Sequence, residues 1–389
     1  MWFFRAPEFC FGEDALSHLA NLSGERAFIV TDANVEQLGF VTAVQNQLHL
    51  AGIDSQVFTG VEPDPSLQIV KRGAAGMSAY APDWVIGLGG GSSMDAAKAM
   101  WILYERPDLS PEEINPFDEL GLRQKARLIC IPTTAGTGSE ASYGIVLTDT
   151  VGQRKLTLGS REVTPDLAIV DPALTAQLPA QITADTGIDV LTHAIEAYNC
   201  NWANDFTDGL CLQAIRMVFD YLPRAVANGA DDMEAREKMA NAASIAGMVL
   251  GNSQVALAHA LGHSAGGVFT QIPHGRITAI FLPATIQFVA NAGMGRYEDI
   301  ARLLGLPADD TAVGAASLVA AIHKLFDDTG QPHSLQASGI PAADFEEALP
   351  LIVEHVNVDA NTIMSPRIPD SPEIEKLLMA AYNGRAVEF

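Results

Sequence analysis

The chain has 389 residues, of which 48% are hydrophobic and 18% charged, so it carries enough apolar material for a packed core and is not a disordered protein. Its 47 acidic residues outnumber 23 basic ones and give a formal net charge of -24, which disfavours nucleic acid and anionic membrane surfaces as partners. Four cysteines without a C-x-x-C pair, and no apolar run as long as a signal-peptide core or a membrane span, predict a cytoplasmic location.

The N-terminal part of the chain alternates short apolar runs with helical patterns, which is typical of βαβ units and a parallel sheet. We therefore expect an α/β domain over residues 1–172. The predicted strands are 26–32, 53–60, 83–91, 126–134, 144–149 and 166–171, and the predicted helices between them are 35–52, 66–80 and 92–104.

From residue 173 onward the pattern changes to long helical periods separated by Pro and Gly, which predicts an all-helical domain over residues 173–389. Helices are predicted at 182–199, 208–228, 232–251, 255–267, 311–330 and 372–384. In the last of these, Ser371 is the expected N-cap, Pro372 the first helical residue and Gly384 the stop signal.

The strongest local motif is WVIGLGGGSSMDAAKAM at residues 84–100, where a buried strand ends in three glycines and a helix begins at once. The glycines let the backbone approach a ligand, and the amides and positive dipole at the start of the helix attract an anion such as pyrophosphate. The motif is neither G-x-G-x-x-G nor a P-loop, and a capped turn that binds nothing is the alternative. The residues assigned to this cofactor site are Gly89, Gly90, Gly91, Ser92 and Asp95.

A second loop, CIPTTAGTGSEAS at residues 130–142, also follows a strand and concentrates hydroxyl groups and glycines. Thr133, Thr134 and Thr137 offer hydroxyls to phosphate or ribose, although a plain turn is the alternative. Because ligands of open α/β sheets bind outside the carboxyl ends of the strands, two such loops together favour a nucleotide crevice.

Asp32 ends the first predicted strand of the domain. A carboxylate there can accept hydrogen bonds from the ribose hydroxyls of NAD and would repel the additional phosphate of NADP. In the usual fingerprint the acid follows the glycines, whereas Asp32 precedes them, so the simple Rossmann template does not fit. A strand-end cap is the alternative role.

The helical part contains a third group of candidate residues. Asp189 and His193 are four residues apart, as are His259 and His263, so each pair lies on one face of its helix. His274 follows in a loop or at the start of a helix. One carboxylate with three imidazoles suits a divalent metal such as Fe, Zn or Co, and the alternative is that each histidine is a core or capping residue.

With these motifs together, the sequence resembles the iron-containing (group III) alcohol dehydrogenase family, whose wider kin include glycerol dehydrogenase and dehydroquinate synthase. The segments GGGSSMDAAKA, IPTTAGTGSEAS, DLAIVDPALT, TADTGIDVLTHAIEAY, HALGH and IPHG occur in the family's order. The resemblance implies a dehydroquinate synthase-like fold. A dinucleotide-binding α/β domain, a variant of the Rossmann fold, would occupy residues 1–172. A helical metal-binding domain would occupy residues 173–389. The active site would lie in the cleft between the two domains.

The resemblance also assigns roles to individual residues. His263 would be a catalytic residue near the nicotinamide, Lys155 would lie near the ribose, and Asp32 would contact the ribose from upstream of the glycines. The glycine turn would hold the pyrophosphate, and the three threonines would surround the nicotinamide half. The implied metal ligands are Asp189, His193, His259 and His274.

The implied function is a metal-dependent, NAD(P)-linked alcohol dehydrogenase or aldehyde reductase. Hydride would pass reversibly between a small primary alcohol and nicotinamide, with the metal polarising the substrate oxygen. NAD is the expected cofactor, with NADP as the alternative, and Fe(II) is the expected metal, with Zn as the alternative. We expect a homodimer or a higher homo-oligomer.

Other functions remain open at this point. Within the superfamily they are a polyol dehydrogenase, a hydroxy-acid dehydrogenase or transhydrogenase, and a maleylacetate reductase, against which the complete Asp and His set argues. A metal-dependent hydrolase or lyase would use the metal residues but leave both glycine loops without a role. A dinucleotide-binding sensor would bind the cofactor without metal or turnover.

Overall fold

The computed structural model describes residues 3–115, 118–150 and 154–389. The chain forms two compact units, Met1–Gln177 and Leu178–Phe389. The predicted division between residues 172 and 173 lies close to this boundary. The first unit is α/β and the second is helical, which confirms the predicted fold class.

The first unit is organised around a six-stranded sheet in the order β1-β8-β5-β4-β2-β3, in which all neighbouring strands are parallel. The strand at 144–149, expected as a further strand, instead pairs antiparallel with the one that follows it, in a separate two-stranded sheet. The strands are β1 Glu8–Phe11, β2 Arg26–Val30, β3 Asp54–Phe58, β4 Trp84–Gly89, β5 Arg127–Pro132, β6 Gly144–Asp149, β7 Arg154–Gly159 and β8 Leu167–Val170.

The parallel sheet is buried on both faces, as its continuous apolar runs predict. Successive side chains of a strand point to opposite faces, so Phe28 and Val30 pack into one core and Ile29 into the other. The helices of this unit are α1 Ala33–Gln37, α2 Phe40–Leu50, α3 Leu67–Tyr80 and α4 Gly91–Glu105. Helix α2 packs on the core of Ile29, and α3 and α4 pack on the other.

The single helix predicted over residues 35–52 is wrong, because the structure divides this segment into α1 and α2. Gly39 separates the two with a φ of 84°, a left-handed conformation that a helix cannot continue through. The break lets α2 pack Val41, Val44 and Leu48 against the sheet.

The second unit consists largely of helices in its described residues. Its helices are α5 Ala180–Asn199, α6 Asp205–Asn228, α7 Met233–Asn252, α8 Leu257–Val268, α9 His274–Asn291, α10 Tyr297–Leu303, α11 Thr311–Thr329, α12 Ala342–Val358 and α13 Ser371–Asn383. Helix α9 was not predicted, because it is buried on almost every side and therefore lacks a polar face, and because Pro283 lies inside it.

The start of α13 differs from the prediction by one residue. Asp370, not Ser371, is the N-cap: its carboxylate accepts from the amide of Glu373, and the Glu373 side chain returns to the amide of Asp370. This reciprocal capping box satisfies two amides that a serine cap alone would leave partly unpaired. Gly384 ends the helix in the left-handed region, as predicted. None of the described helices is long and apolar enough to cross a bilayer.

Candidate metal centre and nucleotide site

Four predicted metal ligands come together in the second unit. Asp189 and His193 lie one turn apart on α5, His259 is on α8, and His274 is the first residue of α9. One candidate ligand atom from each lies within 4.8 Å of all the others. The carboxylate oxygen Oδ1 of Asp189 is central, at 3.8 Å from the Nε2 atoms of His193 and His259 and 3.9 Å from Nε2 of His274.

The polar atoms of this cluster fit a metal ion. Asp189, His193 and His259 are buried, and Nε2 of His259 has no hydrogen-bond partner among the described residues. A buried nitrogen left without a partner costs about 1–3 kcal/mol. A divalent cation would satisfy it, and one carboxylate with three imidazoles is a set of donors that Fe, Zn and Co accept.

The ionisation of the two central side chains also suits a cation. Burial opposes ionisation of Asp189, but His193, His274, His259 and the Thr278 hydroxyl outweigh it and lower the pKa of the carboxyl. Burial, reinforced by His193, holds the pKa of His259 well below its ordinary value. A carboxylate and a neutral imidazole are the protonation states that ligate metals.

Gly275 lets the start of α9 come close enough to α5 for His274 to reach the cluster. A Cβ at this position would lie 2.2 Å from the carbonyl oxygen of Asp185 and 2.8 Å from Cβ of Asp189. A bidentate ion pair also joins α9 to α5, since Nε and Nη2 of Arg276 each lie 2.9 Å from a different carboxylate oxygen of Asp185. Such paired charge-assisted bonds fix both distance and orientation.

We expect Gly275→Ala to weaken metal binding, because the added methyl group must push α9 away from the backbone of α5. Overpacking of this kind costs about 1–3 kcal/mol of stability, and the displaced His274 should lower the affinity for Zn(II) at least about tenfold. Competition with a chromophoric chelator measures the affinity, and thermal unfolding of the metal-free protein measures the stability.

Gly209→Ala is the matched control, because nothing lies within 4 Å of a Cβ built at that position of α6. There alanine should stabilise the helix by about 0.5–1 kcal/mol and leave metal affinity unchanged. Equal metal affinity in the Gly275→Ala variant and the wild type would refute the role of the close helix contact.

His263 lies one turn after His259 on α8, beside the metal residues. Its ring stacks on that of His274 with centroids 5.3 Å apart, and its Nδ1 lies 3.3 Å from Oδ2 of Asp359. Burial opposes ionisation of Asp359, but the hydrogen bond and charge of His263 lower the pKa of its carboxyl. Because an ionised Asp359 accepts the Nδ1 proton, Nε2 of His263 is left able to take up another proton.

In the first unit, the predicted cofactor residues lie at the point where the order of the sheet reverses. Strand β2 is flanked by β3 on one side and by β4 on the other. Asp32 follows β2, and the glycine turn follows β4. Such a switch point, at the carboxyl ends of parallel strands, is where open α/β sheets bind nucleotides.

The glycine turn requires glycine at two of its three positions. Gly89 has a φ of 145°, and a Cβ on it would lie 2.6 Å from Oγ of Ser93. A Cβ on Gly91 would lie 2.9 Å from Cγ2 of Thr137. Gly90 caps α4, whose first intrahelical bonds run from Ser93 and Met94 to the Gly90 carbonyl. The amides of Gly91 and Ser92 therefore precede the helical ladder, as an anion site needs.

The second predicted loop lies directly beside this turn. Gly89 and Pro132 are partners in the register of β4 and β5, and the amide of Thr133 donates to the Gly89 carbonyl at 3.0 Å. Thr134 lies 3.7 Å from the position of a Cβ on Gly90. The structure thus brings the glycines and the threonines of both loops together at one edge of the sheet.

Asp32 has the capping role that was the alternative from sequence, and its carboxylate also reaches the glycine turn. Its Oδ1 caps α1 by accepting from the amides of Asn34 and Val35, at 2.9 and 3.1 Å. Its Oδ2 accepts from Oγ of Ser93 at 3.3 Å, which brings the carboxylate to the glycine turn. The capping role is therefore observed, and the contact with ribose stays a prediction.

Lys155, on β7, is linked to the glycine turn by Asp64, which contacts both Lys155 and Ser92. Its Nζ is 2.5 Å from Oδ1 of Asp64, and the amide of Asp64 donates to Oγ of Ser92 at 3.4 Å. Lys155 thus carries a positive charge near the start of α4 in an acidic protein. Its role beside the ribose stays a prediction.

Asp95 has protein partners on both carboxylate oxygens. Oδ1 accepts from Oγ of Ser139 at 2.6 Å, and Oδ2 accepts from the amide of Val146 at 2.9 Å. Burial raises the pKa of this carboxyl, against the opposing charge of Lys98. These contacts indicate that Asp95 holds the second loop in place, and direct contact with the cofactor stays a prediction.

Several side chains of both sites were missed from sequence. Glu196 was missed although it lies three residues after His193 on the same face of α5, and its carboxylate contacts His259 at 2.6 Å. Lys98 was missed although it lies three residues after Asp95. Helical spacing from an assigned residue was the available signal in both cases. Asp359 gave no signal, because only the fold brings it to His263.

Comparison with known proteins gives consistent results for both units. Residues 183–382 match the Fe-containing alcohol dehydrogenase family, C-terminal, and residues 6–172 match the iron-containing alcohol dehydrogenase family. The chain is 39% identical over 381 residues to the NADPH-dependent butanol dehydrogenase of Clostridium saccharobutylicum, covering 97% of each chain.

Two further similarities concern a longer protein and a solved structure. The chain is 38% identical over 400 residues to the aldehyde-alcohol dehydrogenase of Streptococcus pneumoniae serotype 4, covering 96% of this chain and 45% of that protein. It is 34% identical to a 1,3-propanediol oxidoreductase of known structure, with a TM-score of 0.91 and coverage of 98% of this chain and 100% of that one. The chain thus spans less than half of the aldehyde-alcohol dehydrogenase that it matches.

Proposed function

We infer the reaction from the fact that the chain belongs to the iron-containing alcohol dehydrogenase family, which makes it an oxidoreductase acting on CH-OH groups. We propose that it transfers hydride reversibly between a small primary alcohol and NAD, with Fe(II) at the metal centre and Zn(II) as the alternative metal. The observation that carries this proposal is the cluster of one carboxylate and three imidazoles, of which all but the His274 ring are buried. A cytoplasmic location and a homo-oligomeric state belong to the same proposal.

In the metal centre, Asp189, His193, His259 and His274 would hold the ion. When both groups are bound, the metal supplies Lewis acidity toward the substrate oxygen and the nicotinamide supplies a hydride acceptor. Because Asp189 is the one carboxylate among the four ligands, it neutralises only part of a divalent charge. The remaining positive charge favours an anionic oxygen of the substrate over a neutral one.

The proton released by the alcohol needs an acceptor, and His263 has the required arrangement. Asp359 fixes the Nδ1 proton of His263, so Nε2 can accept. The His263 side chain is 28% exposed, which allows it to pass the proton to water. We therefore assign His263 to proton relay and Asp359 to its orientation.

On the cofactor side, the amides of Gly91 and Ser92 and the positive end of α4 would bind the pyrophosphate. Thr133, Thr134 and Thr137 would supply hydroxyls beside it, and Lys155 would supply positive charge. NAD is proposed over NADP because the Asp32 carboxylate would repel a 2′-phosphate. One relative is an NADPH-dependent butanol dehydrogenase, so kinetics with both cofactors test this preference directly.

We expect Asp32→Asn to raise the NADP-to-NAD ratio of kcat/KM by about 10–100-fold, because it removes the charge and keeps an oxygen for the helix cap. Asp32→Ala should change the ratio similarly and also lose about 1 kcal/mol of stability with the cap. Steady-state kinetics with both cofactors and thermal unfolding separate the two effects.

Asp54→Ala is the control for Asp32, since Asp54 begins β3 and so lies at the amino end of a neighbouring strand. It should leave the cofactor ratio unchanged. If the Asp32→Asn ratio also stayed at the wild-type value, Asp32 would have no part in choosing the cofactor.

The proposed reaction is tested by following NAD reduction with a panel of primary alcohols, diols and hydroxy acids, and NADH oxidation with the matching aldehydes. A small primary alcohol should give the highest kcat/KM. A diol or hydroxy acid as best substrate would move the function to a polyol or hydroxy-acid dehydrogenase. Turnover of none of these, with no binding of nicotinamide cofactor in a titration, would favour a metal-dependent hydrolase or lyase.

A further inference from the structure

Glu196 is a buried carboxylate that the proposed reaction does not use. It lies on α5, on the same face as Asp189 and His193, and is 5% exposed. A buried carboxylate is costly unless hydrogen bonds compensate it. Its contacts therefore indicate what it does.

All of the donors that reach Glu196 come from the beginning of α8. Its Oε2 lies 2.6 Å from Nδ1 of His259 and accepts from the amides of Ala256 and His259, at 3.0 and 3.4 Å. Its Oε1 accepts from the amide of Ala258 at 2.5 Å. The N-cap of α8, Ala256, has no side chain that could cap the helix. Glu196 thus caps α8 from another helix, where a negative charge is most favourable.

The same carboxylate determines which nitrogen of His259 is available to a metal. Amides can only donate, so three amides on Glu196 favour its role as acceptor, and the Nδ1 atom of His259 must then carry the proton. This leaves Nε2 without a proton. Nε2 is the buried atom without a hydrogen-bond partner, 3.8 Å from Oδ1 of Asp189.

We propose that Glu196 is a positioning residue for the metal centre: it holds the ring orientation and tautomer of His259 and fixes the start of α8 against α5. This inference rests on the metal centre of the proposed function. Carboxylates that accept the second ring proton of a ligating histidine raise its basicity, and their loss lowers metal affinity roughly 10–100-fold.

A small cavity of about 20 Å³ adjoins Glu196, and Asn199, Tyr297 and Ser365 also contribute to its lining. This is space for about one water molecule. The orientation of the Glu196 carboxylate is set by its four contacts with the start of α8.

The test uses Glu196→Gln, which keeps the size of the side chain and removes one of its two acceptor oxygens. An amide has one acceptor oxygen and one NH2 group, so NH2 must face either His259 or the amides of α8. We expect the affinity of the metal-free protein for Co(II) and Zn(II) to fall roughly 10–100-fold. The visible absorption of the Co(II) protein should also change, because the His259 ring no longer holds its position.

Glu105→Gln is the matched control. Glu105 is another buried carboxylate that accepts from backbone amides, those of Gln124, Lys125 and Ala126, and it lies in the first unit. The two substitutions should cost similar stability, measured on the metal-free proteins. Only Glu196→Gln should change Co(II) affinity and absorption, and a merely structural role for Glu196 would leave both unchanged.

His259→Ala separates failure of this inference from failure of the metal centre itself. If His259→Ala loses Co(II) and Glu196→Gln binds it with wild-type affinity and spectrum, the centre stands and the role of Glu196 is refuted. If His259→Ala retains wild-type affinity, the metal centre of the proposed function is refuted as well.

A measurement on the wild type covers the case in which Glu196→Gln does not fold. Nitrogen-15 NMR of the metal-free protein, labelled at histidine, reports the tautomer of His259. The inference requires a protonated Nδ1 and an unprotonated Nε2. The opposite tautomer would overturn it.

Discussion

His259→Ala should remove metal from the protein and lower kcat/KM for alcohol oxidation by roughly a thousandfold or more, since Lewis-acid stabilisation of the substrate oxygen contributes several kcal/mol. His259 is 1% exposed, and its Nε2 lies 3.8 Å from Oδ1 of Asp189. Its loss removes one of the four protein donors that would hold the ion. Elemental analysis and steady-state kinetics on the same preparation measure both effects.

His355→Ala is the control for this substitution, because His355 is exposed on α12 of the same unit. It should retain metal and activity. The His259→Ala variant should still fold, as circular dichroism and thermal unfolding would show. Full alcohol dehydrogenase activity in a metal-free His259→Ala protein would contradict the proposed mechanism.

Lys98→Met should give the largest loss of stability among the substitutions considered, about 3–5 kcal/mol. Lys98 is completely buried, and its Nζ donates to the carbonyls of Ser139, Ser142 and Gly144 and to the hydroxyl of Ser139, at 2.7–3.1 Å. It also compensates the charge of Asp95 at 3.9 Å. Methionine has nearly the same length but cannot donate, so these acceptors and the carboxylate lose their partner.

The same substitution should weaken cofactor binding, because Lys98 and Asp95 together tie the loop of Thr133, Thr134 and Thr137 to α4. Chemical denaturation measures the stability, and a fluorescence titration with NADH should show about a tenfold higher Kd. Lys324→Met, at a side chain 72% exposed on α11, should stay within about 0.5 kcal/mol of the wild type. Wild-type stability in Lys98→Met would mean that the buried network contributes nothing.

The fold could be predicted largely because its signals are local. Apolar runs bounded by turn residues located five of the six strands of the parallel sheet, β1 being missed, and helical periods located α3, α5, α6 and α7. Two other failures depend on a special backbone geometry and on tertiary burial. Gly39 breaks a continuous helical pattern through a positive φ, and α9 has no polar face because it is buried on nearly all sides.

The pairing of 144–149 was also beyond sequence reasoning. An apolar run shows that a segment suits a strand but does not show which neighbour it pairs with. Strands β6 and β7 form an antiparallel pair, and the amide of Val146 on β6 donates a hydrogen bond to Oδ2 of Asp95. That contact spans two distant parts of the sequence.

For the candidate sites too, local sequence patterns predicted some of the residues, and others depend on tertiary structure. Helical spacing was enough to group Asp189 with His193 and His259 with His263, because residues four apart share a face. Helices α5 and α8 and the His274 side chain meet at one point because Gly275 allows α9 to approach Asp185 closely. This close approach is visible only in the tertiary structure. Glu196 was missed although it lies three residues after His193 on α5. Asp359 was missed because only the fold brings it to His263.

We propose that the Asp and His cluster holds a metal ion that the alcohol dehydrogenase reaction requires. The most direct test removes metal with a chelator and titrates Fe(II) under anaerobic conditions back into the protein while NAD reduction by 1-butanol is measured. We expect activity to rise with bound iron and to stop rising at one ion per chain. Activity that is unchanged in the metal-free protein, or that does not follow bound metal, would contradict it.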